Sequence, residues 1–290
     1  LKFQRGDILH VISTSDENWW QAYREGDDPS SSLAGLIPST HFQQQSVFQF
    51  SEMLTYEEVS LYMSKGTRKR PIVLCGPEGV GCLELRQRLV ESDKSKFASA
   101  VPHTTRPKKS GELDDVHFHF VTRQKFQEDA KMGKFIEYGE YQKHLYGTSI
   151  AAIQSVVNRG KICLLTLKAE VIFLRTSLMP YVVFIAPPSL QQLKRQKESL
   201  GQFNVKEEQL KLTLNEGKLT EQVDRYFLLE MPQFGSIRFQ EYGHLFDHII
   251  VNIDLDRSLN EMKDIVRKLE TEPQWVPSFW LNRPEANYYR

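Results

Sequence analysis

Residues 70–83, Arg-Pro-Ile-Val-Leu-Cys-Gly-Pro-Glu-Gly-Val-Gly-Cys-Leu, constrain the fold of this chain more than any other stretch. Ile72–Cys75 is a short apolar, β-branched run, the pattern of a buried strand. It passes directly into Gly76-Pro-Glu-Gly79-Val-Gly81, and a helical pattern follows from Leu83, with apolar residues at Leu85, Leu89 and Val90. Strand, glycine-rich turn and helix are the setting of the phosphate-binding pattern G-x-x-x-x-G-K-[ST]. Gly76 and Gly81 hold its spacing, so backbone N–H groups can form an anion nest at the helix N-terminus. The next two positions break the pattern. Cys82 stands where a lysine reaches the β/γ-phosphates, and Leu83 stands where a hydroxyl ligates magnesium. A neutral thiol and an isobutyl group do neither job. From this stretch alone, a glycine-rich turn in an unrelated α/β protein is the other reading.

The chain has 290 residues, room for one large domain or two smaller ones around a full core. Its 37 basic and 37 acidic residues balance, which argues against a general nucleic-acid binder. The three cysteines (Cys75, Cys82, Cys163) are odd in number and lack metal-ligand spacing, and a reduced intracellular compartment fits them best. No apolar run approaches the length of a membrane span. The chain begins at Leu1, not at an initiator Met, so it is expected to be a fragment and a missing signal peptide carries no weight.

Residues 1–45 read as short strands and turns. A Gly6-Asp7 turn precedes the apolar run to Ile12, Trp19-Trp20-Gln-Ala-Tyr23 is a second strand, and Leu33–Pro38 is a third that ends at a proline. The ordered pattern GD-I-L-x-V, WW-x-A, GLIPS resembles a Src-homology-3 (SH3) barrel. That resemblance implies a groove for proline-rich peptides built on Trp19, Pro38 and an aromatic at Phe42, where the family uses tyrosine. Trp19 and Trp20 on alternate faces serve a core as readily as a groove. Residues 43–63 join this part to the next, and Thr55-Tyr-Glu-Glu58 matches a capping box opening a short helix. The basic run Arg68-Lys-Arg70 is read as a solvated charge cluster.

The body of the chain carries further ordered motifs. They are His103-Thr-Thr-Arg106-Pro with Gly111-Glu112 and Phe118-His-Phe120, then Phe135-Ile-Glu137, Tyr146-Gly-Thr148-Ser and Phe246-Asp-His-Ile-Ile-Val-Asn252. Together they resemble the nucleoside-monophosphate site and following strands of guanylate kinases, over roughly residues 70 to 269. The resemblance implies a phosphate grip by Arg106, Lys109 and Tyr146 on a loop carrying Glu112 and Phe118. It also implies a guanine-reading carboxylate at Glu137 beside Thr148. The residue types suit those tasks, a guanidinium fork for phosphate above all.

The departures bear on function. Thr166 and Lys168 stand where active members of the family carry two aspartates, and Pro102 stands where they carry a phosphate-binding serine. Lys109 replaces an arginine fork with a point charge, and Phe118 replaces a tyrosine hydroxyl. The lid segment, residues 191–219, holds Arg195 and lysines but no clear arginine pair. Phosphoryl transfer is nearly all positioning and charge stabilisation. Losing one preorganised donor costs roughly 10²–10³ in rate, and here several are missing together.

Residues 254–269 form an amphipathic helix pattern, followed by Glu272-Pro-Gln-Trp275-Val-Pro-Ser-Phe279-Trp280. With NWWQAYREGD, RKRPIVL and FASAVPHTTR, this run resembles membrane-associated guanylate kinase homologues of the membrane-palmitoylated-protein branch. In that family the last SH3 strand returns after the kinase-like domain. The expected fold is therefore an α/β guanylate-kinase-like domain with a P-loop NMP-kinase type parallel sheet, plus a small all-β SH3-like barrel split around it. Its expected parts are residues 1–45 with 271–282 as the barrel, 46–67 as a connecting hook or helix, and 68–270 as a kinase-like domain without catalysis. The resemblance implies a scaffold at apical cell junctions, cytoplasmic and held to the plasma membrane through partners. Such a scaffold is expected to bind protein peptides such as a Crumbs-type cytoplasmic tail, phosphorylated or acidic peptides included, with PDZ and L27 domains expected upstream. No cofactor, metal or nucleic acid is implied. A GMP-binding or weakly active guanylate kinase is the alternative. The abrupt junction at residues 45–46 leaves room for an omitted insert.

Overall fold

The computed structural model describes residues 1–3, 7–27, 34–46, 56–64, 69–167, 178–199, 207–222 and 246–281. The chain divides into two compact units, Leu1–Ser60 with Pro277–Arg290, and Leu61–Val276.

In the first unit, β1 (Leu9–Ser13), β2 (Trp19–Arg24) and β3 (Gly35–Pro38) form an antiparallel sheet in that order. The register sets Trp19 against Pro38 and Trp20 against Ile37. Ala22 and Ile37 are fully buried, so alternation along β2 and β3 fixes which face packs inward. The Asp16 carboxylate accepts from the N–H groups of Asn18 and Trp19 and turns the chain into β2. After Pro38 the chain makes a helix where only strands and turns were expected. This helix, α1 (Thr40–Ser46), follows from Ser39, whose hydroxyl accepts from the Phe42 N–H at 3.0 Å and donates to the Glu17 carbonyl.

The connector also differs from the expectation. Thr55 lies outside the described residues, and the short helix expected after it is instead strand β4 (Val59–Tyr62). Strand β14 (Gln274–Pro277) pairs with it, and tertiary pairing overrides a local capping signal. Residues 278–281, expected to extend that returning strand, form the helical turn α8 (Ser278–Leu281). The Ser278 N–H donates to the Glu58 carbonyl at 2.9 Å, and the Ser60 and Ser278 hydroxyls meet at 2.7 Å.

The second unit is built on a parallel five-stranded sheet in the order β13-β12-β5-β11-β6. Its strands are β5 (Ile72–Cys75), β6 (Phe97–Ala98), β11 (Ile162–Thr166), β12 (Tyr181–Ala186) and β13 (His248–Val251). The continuous apolar runs in β5, β11 and β12 are those of strands buried on both faces. On one face, Ile72, Leu74, Leu164 and Ile185 pack against Leu85 and Leu89 of α2 (Cys82–Ser92). Met262, Ile265, Val266 and Leu269 of α7 (Leu255–Thr271) complete that layer. On the other face, Val73, Cys75 and Phe184 meet Ile153 and Val156 of α4 (Ile150–Asn158). The ring of Phe246 stacks on Phe184 at 4.8 Å.

A four-stranded sheet, β8-β7-β10-β9, is inserted between β6 and β11 in the sequence. It comprises β7 (His103–Thr104), β8 (His119–Phe120), β9 (Phe135–Tyr141) and β10 (His144–Ser149), with α3 (Arg123–Lys131) between β8 and β9. Phe126 of α3 stacks on Phe135 at 4.4 Å and anchors the helix to the sheet. The lid segment folds as α5 (Leu190–Ser199) and α6 (Glu207–Gln222), with Leu193 and Leu210 buried.

The basic run before β5 is not a solvated cluster. Arg68 lies outside the described residues, but Arg70 is only 5% exposed. Its Nε donates to the Met179 carbonyl at 2.8 Å and its NH2 to the Pro180 carbonyl at 2.9 Å, beside Asp247 at 3.9 Å. Lys69 and Lys96 both pair with Glu270. A guanidinium can be buried here because backbone carbonyls satisfy it, and sequence alone does not reveal them.

Candidate functional site

The glycine-rich loop leaves the C-terminal end of β5, between β11 and β12, and opens α2. Gly79 and Gly81 have φ of 82° and 103°, left-handed values that favour glycine. The loop is pinned by Asn252, at the end of β13. Fully buried, Asn252 donates from Nδ2 to the Val80 carbonyl at 2.8 Å and accepts the Ser258 hydroxyl on Oδ1 at 2.9 Å. A Cβ at Gly81 would lie 2.6 Å from that Nδ2, and one at Gly76 would lie 2.5 Å from the Ile185 carbonyl oxygen. The loop thus keeps a nest-forming shape whose glycines are demanded by contacts within the protein.

The two residues that break the pattern behave as their types dictate. Burial pushes the Cys82 thiol up to about 12, with the Glu84 charge adding to the shift, so it stays protonated and uncharged near neutral pH. The Leu83 side chain is 60% exposed, an isobutyl group at the start of α2. From α6, the Thr213 hydroxyl donates to the Glu78 carbonyl of the loop at 3.0 Å.

On the inserted sheet, β10 sets Thr148 directly opposite Glu137 and Tyr146 opposite Gly139 and Thr104. Strand period places Thr148, Tyr146 and Glu137 on one face. Arg106 follows β7, its N–H donating to the Thr104 hydroxyl at 3.1 Å. Its fork is closed on Glu112: NH1 to Oε2 at 3.0 Å and NH2 to Oε1 at 2.8 Å, with NH1 also donating to the Pro107 carbonyl. The Lys109 N–H donates to the same carboxylate at 2.8 Å, while the Lys109 side chain is exposed. Arg106 also lies over the rings of Phe118 at 5.3 Å and Phe120 at 5.7 Å, two neighbouring rings that make cation–π contacts with it. The Arg106 fork and the Lys109 N–H hold Glu112 down at about 2, and Glu112 in turn raises the Arg106 pKa. Phe118 is packed against Tyr146 at 6.1 Å, where a tyrosine would bring a hydroxyl.

Pro102 precedes β7, and its carbonyl accepts the His119 N–H at 2.8 Å. Thr166, at the end of β11, accepts from Arg86 NH1 at 3.1 Å. Lys168 lies outside the described residues. Arg195 on α5 is exposed. In the first unit, Trp19, Pro38 and Phe42 come together, with Trp19 paired to Pro38 across the strands and its ring 5.2 Å from that of Phe42. Trp19 is 42% exposed and Ile37 beside Pro38 is buried, so this cluster is half surface and half packing.

Sequence reasoning missed three residues of the second unit's site. Asn252 was noted only as the end of a strand, although a polar residue closing the apolar run Ile249-Ile-Val251 is a signal. Arg86 is one helical turn beyond Cys82 on α2, a spacing that brings it toward the same end of the sheet. Thr213 left no signal, since its partner is a backbone carbonyl.

A guanylate kinase family model matches residues 68–234, and a variant SH3 domain model matches residues 1–45. Protein PALS1 of Danio rerio is 42% identical over 323 residues, which cover 97% of this chain and 45% of that protein. MAGUK p55 subfamily member 7 of Danio rerio is 34% identical over 332 residues, covering 97% and 56%. MAGUK p55 subfamily member 4 of Rattus norvegicus is 33% identical over 338 residues, covering 97% and 73%. The chain spans about half the length of the first two relatives. Two domain models in this order, and relatives matched along nearly the whole chain, make it a member of the membrane-associated guanylate kinase homologues of the p55 group, carrying their SH3–guanylate-kinase module.

Proposed function

We propose that this chain is a scaffold module whose kinase-like domain has lost phosphoryl transfer and holds a partner peptide at its former nucleotide site. One observation carries the reading. The loop keeps its backbone shape through Asn252, yet its lysine and hydroxyl positions hold an uncharged, half-buried thiol and an exposed isobutyl group. Thr166 extends the loss, because it offers a neutral oxygen already engaged by Arg86. The shape of a phosphate site has been retained without the charges that stabilise a transferring phosphoryl group.

The partner in this reading is a protein peptide, a Crumbs-type cytoplasmic tail among the candidates, bound at Arg106, Lys109, Glu137, Tyr146 and Thr148. The flanking PDZ domain of a longer protein would raise its effective concentration. The SH3-like barrel is split, with residues 271–282 completing residues 1–45, and its Trp19–Pro38–Phe42 remnant is a lesser site. The protein works in the cytoplasm at apical junctions, held to the membrane by partners; among the described residues no helix is long and apolar enough to cross one.

A coupled assay with ATP and GMP tests the loss of catalysis. No turnover above the blank is expected, and turnover abolished by Arg106→Ala overturns it. A second reading, GMP binding without catalysis, draws on the pairing of Glu137 with Thr148 across β9 and β10. Calorimetry with GMP separates the two.

A further inference from the structure

Two arginines stand beside the former nucleotide site, and they are spent differently. The Arg106 guanidinium is committed: both terminal nitrogens bond Glu112, one also bonds a carbonyl, and two aromatic rings make cation–π contacts with it. Arg86 is half-buried on α2, and among the described residues its guanidinium makes one hydrogen bond, from NH1 to the Thr166 hydroxyl at 3.1 Å. A guanidinium carries five N–H donors. Groups withdrawn from water are normally matched by partners, charged groups most of all. Burial lowers the Arg86 pKa while the Glu137 charge opposes the shift.

Position 166 explains why donors are left over. A carboxylate at the end of β11 would accept two N–H groups of Arg86 and neutralise it, as Glu112 does for Arg106. Threonine accepts with one neutral oxygen. Thr166 therefore leaves Arg86 with the Glu137 charge nearby but with no carboxylate bonded to its fork among the described residues. The uncharged Cys82 thiol, one turn earlier on α2, supplies no counterion.

Resting on the peptide-binding reading above, we infer that Arg86 takes an anionic side chain of the bound peptide, a carboxylate or a phosphate, at the C-terminal end of β11. The Arg106 fork, by contrast, already bonds Glu112. The recognised peptide is accordingly acidic at the residue that reaches Arg86.

The test follows the arginine Nε–Hε resonances by NMR in the 290-residue chain and in Arg86→Gln, Arg86→Lys, Thr166→Asp and Arg88→Gln. The probes are N-acetyl-glutamate amide, N-acetyl-phosphoserine amide and inorganic phosphate, and thermal melts establish that each variant is folded. The two amides are expected to shift the Arg86 resonance. Their affinity should fall about tenfold or more in Arg86→Gln, as for hydrogen bonds to ions. Thr166→Asp should suppress binding through internal competition, Arg86→Lys should restore part of it, and Arg88→Gln, which loses only its ion pair with Asp256, should change it by less than about threefold. An Arg86 resonance unmoved by either amide, equal affinity in Arg86→Gln, or an equal loss in Arg88→Gln overturns the assignment. A response to inorganic phosphate alone marks a free-ion site and also overturns it. A chain that binds the amides through Arg86 yet captures no Crumbs-type tail refutes that choice of partner and leaves the role of Arg86 standing.

Discussion

Arg106 and Glu112 are joined by two parallel hydrogen bonds of 2.8 and 3.0 Å, with the carboxylate taking a third from the Lys109 N–H. The pair closes the loop between β7 and β8 on itself and spends the fork that the family resemblance assigns to phosphate. The Glu112 carboxyl, held at about 2, lies below its ordinary 4.5 because Arg106 favours the charged form. Its contribution to stability is therefore complete above about pH 4.5 and is lost as pH falls towards 2. Thermal melts from pH 6 to pH 2 should show a steeper acid loss for the native chain than for Glu112→Gln. Parallel curves for the two would show that the fork is not coupled to folding.

Asn252 holds the glycine-rich loop from beneath, and both ends of its amide are engaged while it is fully buried. Asn252→Ala leaves the Val80 carbonyl and the Ser258 hydroxyl without that partner, at a cost of about 1–3 kcal/mol for each buried group so stranded. Ser258→Ala removes one bond and should cost less. Chemical denaturation of the three chains checks the order; an Asn252→Ala chain as stable as the native one would show that the loop shape is set elsewhere.

The three cysteines share one behaviour. Burial pushes Cys82 and Cys163 up to about 12 and raises Cys75 as well, from an ordinary 9.0. Thiolates are the reactive form, so alkylation at pH 8 should be slow for all three in the folded chain and rapid in denaturant. Above about pH 9 the unfolded chain releases thiol protons that the folded chain keeps, so stability should fall as pH rises from 9 towards 12. Prompt labelling of Cys82 in the folded state would place its sulfur in a far more polar setting than the one at Gly76 and Val80.

What was legible in the sequence was periodic or ordered. The run Ile72–Cys75, the glycine spacing and the helical recurrence of Leu85 and Leu89 gave strand, loop and helix, because each follows from neighbours in the chain. The guanylate-kinase and SH3 resemblances are shown by the family models. What stayed hidden depends on partners far away in sequence. Arg70 looked like surface charge until the carbonyls of Met179 and Pro180 were placed around it. Val59–Tyr62 carried a helix-start signal upstream, yet β14 recruited it as a strand. Arg106 invited a ligand by its motif, and only coordinates reveal Glu112 already there.

Ser278 is 218 positions from Ser60, yet their hydroxyls meet at 2.7 Å and the Ser278 N–H bonds the Glu58 carbonyl, while β14 supplies the strand partner of β4. Ending the chain at Glu272 removes β14 and α8 together. It leaves β4 without its neighbour, so unpaired N–H and C=O groups stand along an exposed strand edge, a template for association with other chains. Val276 and Ser278, both buried, lose their packing at the same step. The truncated chain is expected to melt at lower temperature and to aggregate more than the intact one, with the loss concentrated in the tryptophan fluorescence of Trp19 and Trp20. Restoring residues 273–282 as a separate peptide should recover part of the signal. A truncated chain that melts as the intact one does, with unchanged Trp19 and Trp20 fluorescence, would show that the first unit folds without its distant strand and would end the split-barrel reading.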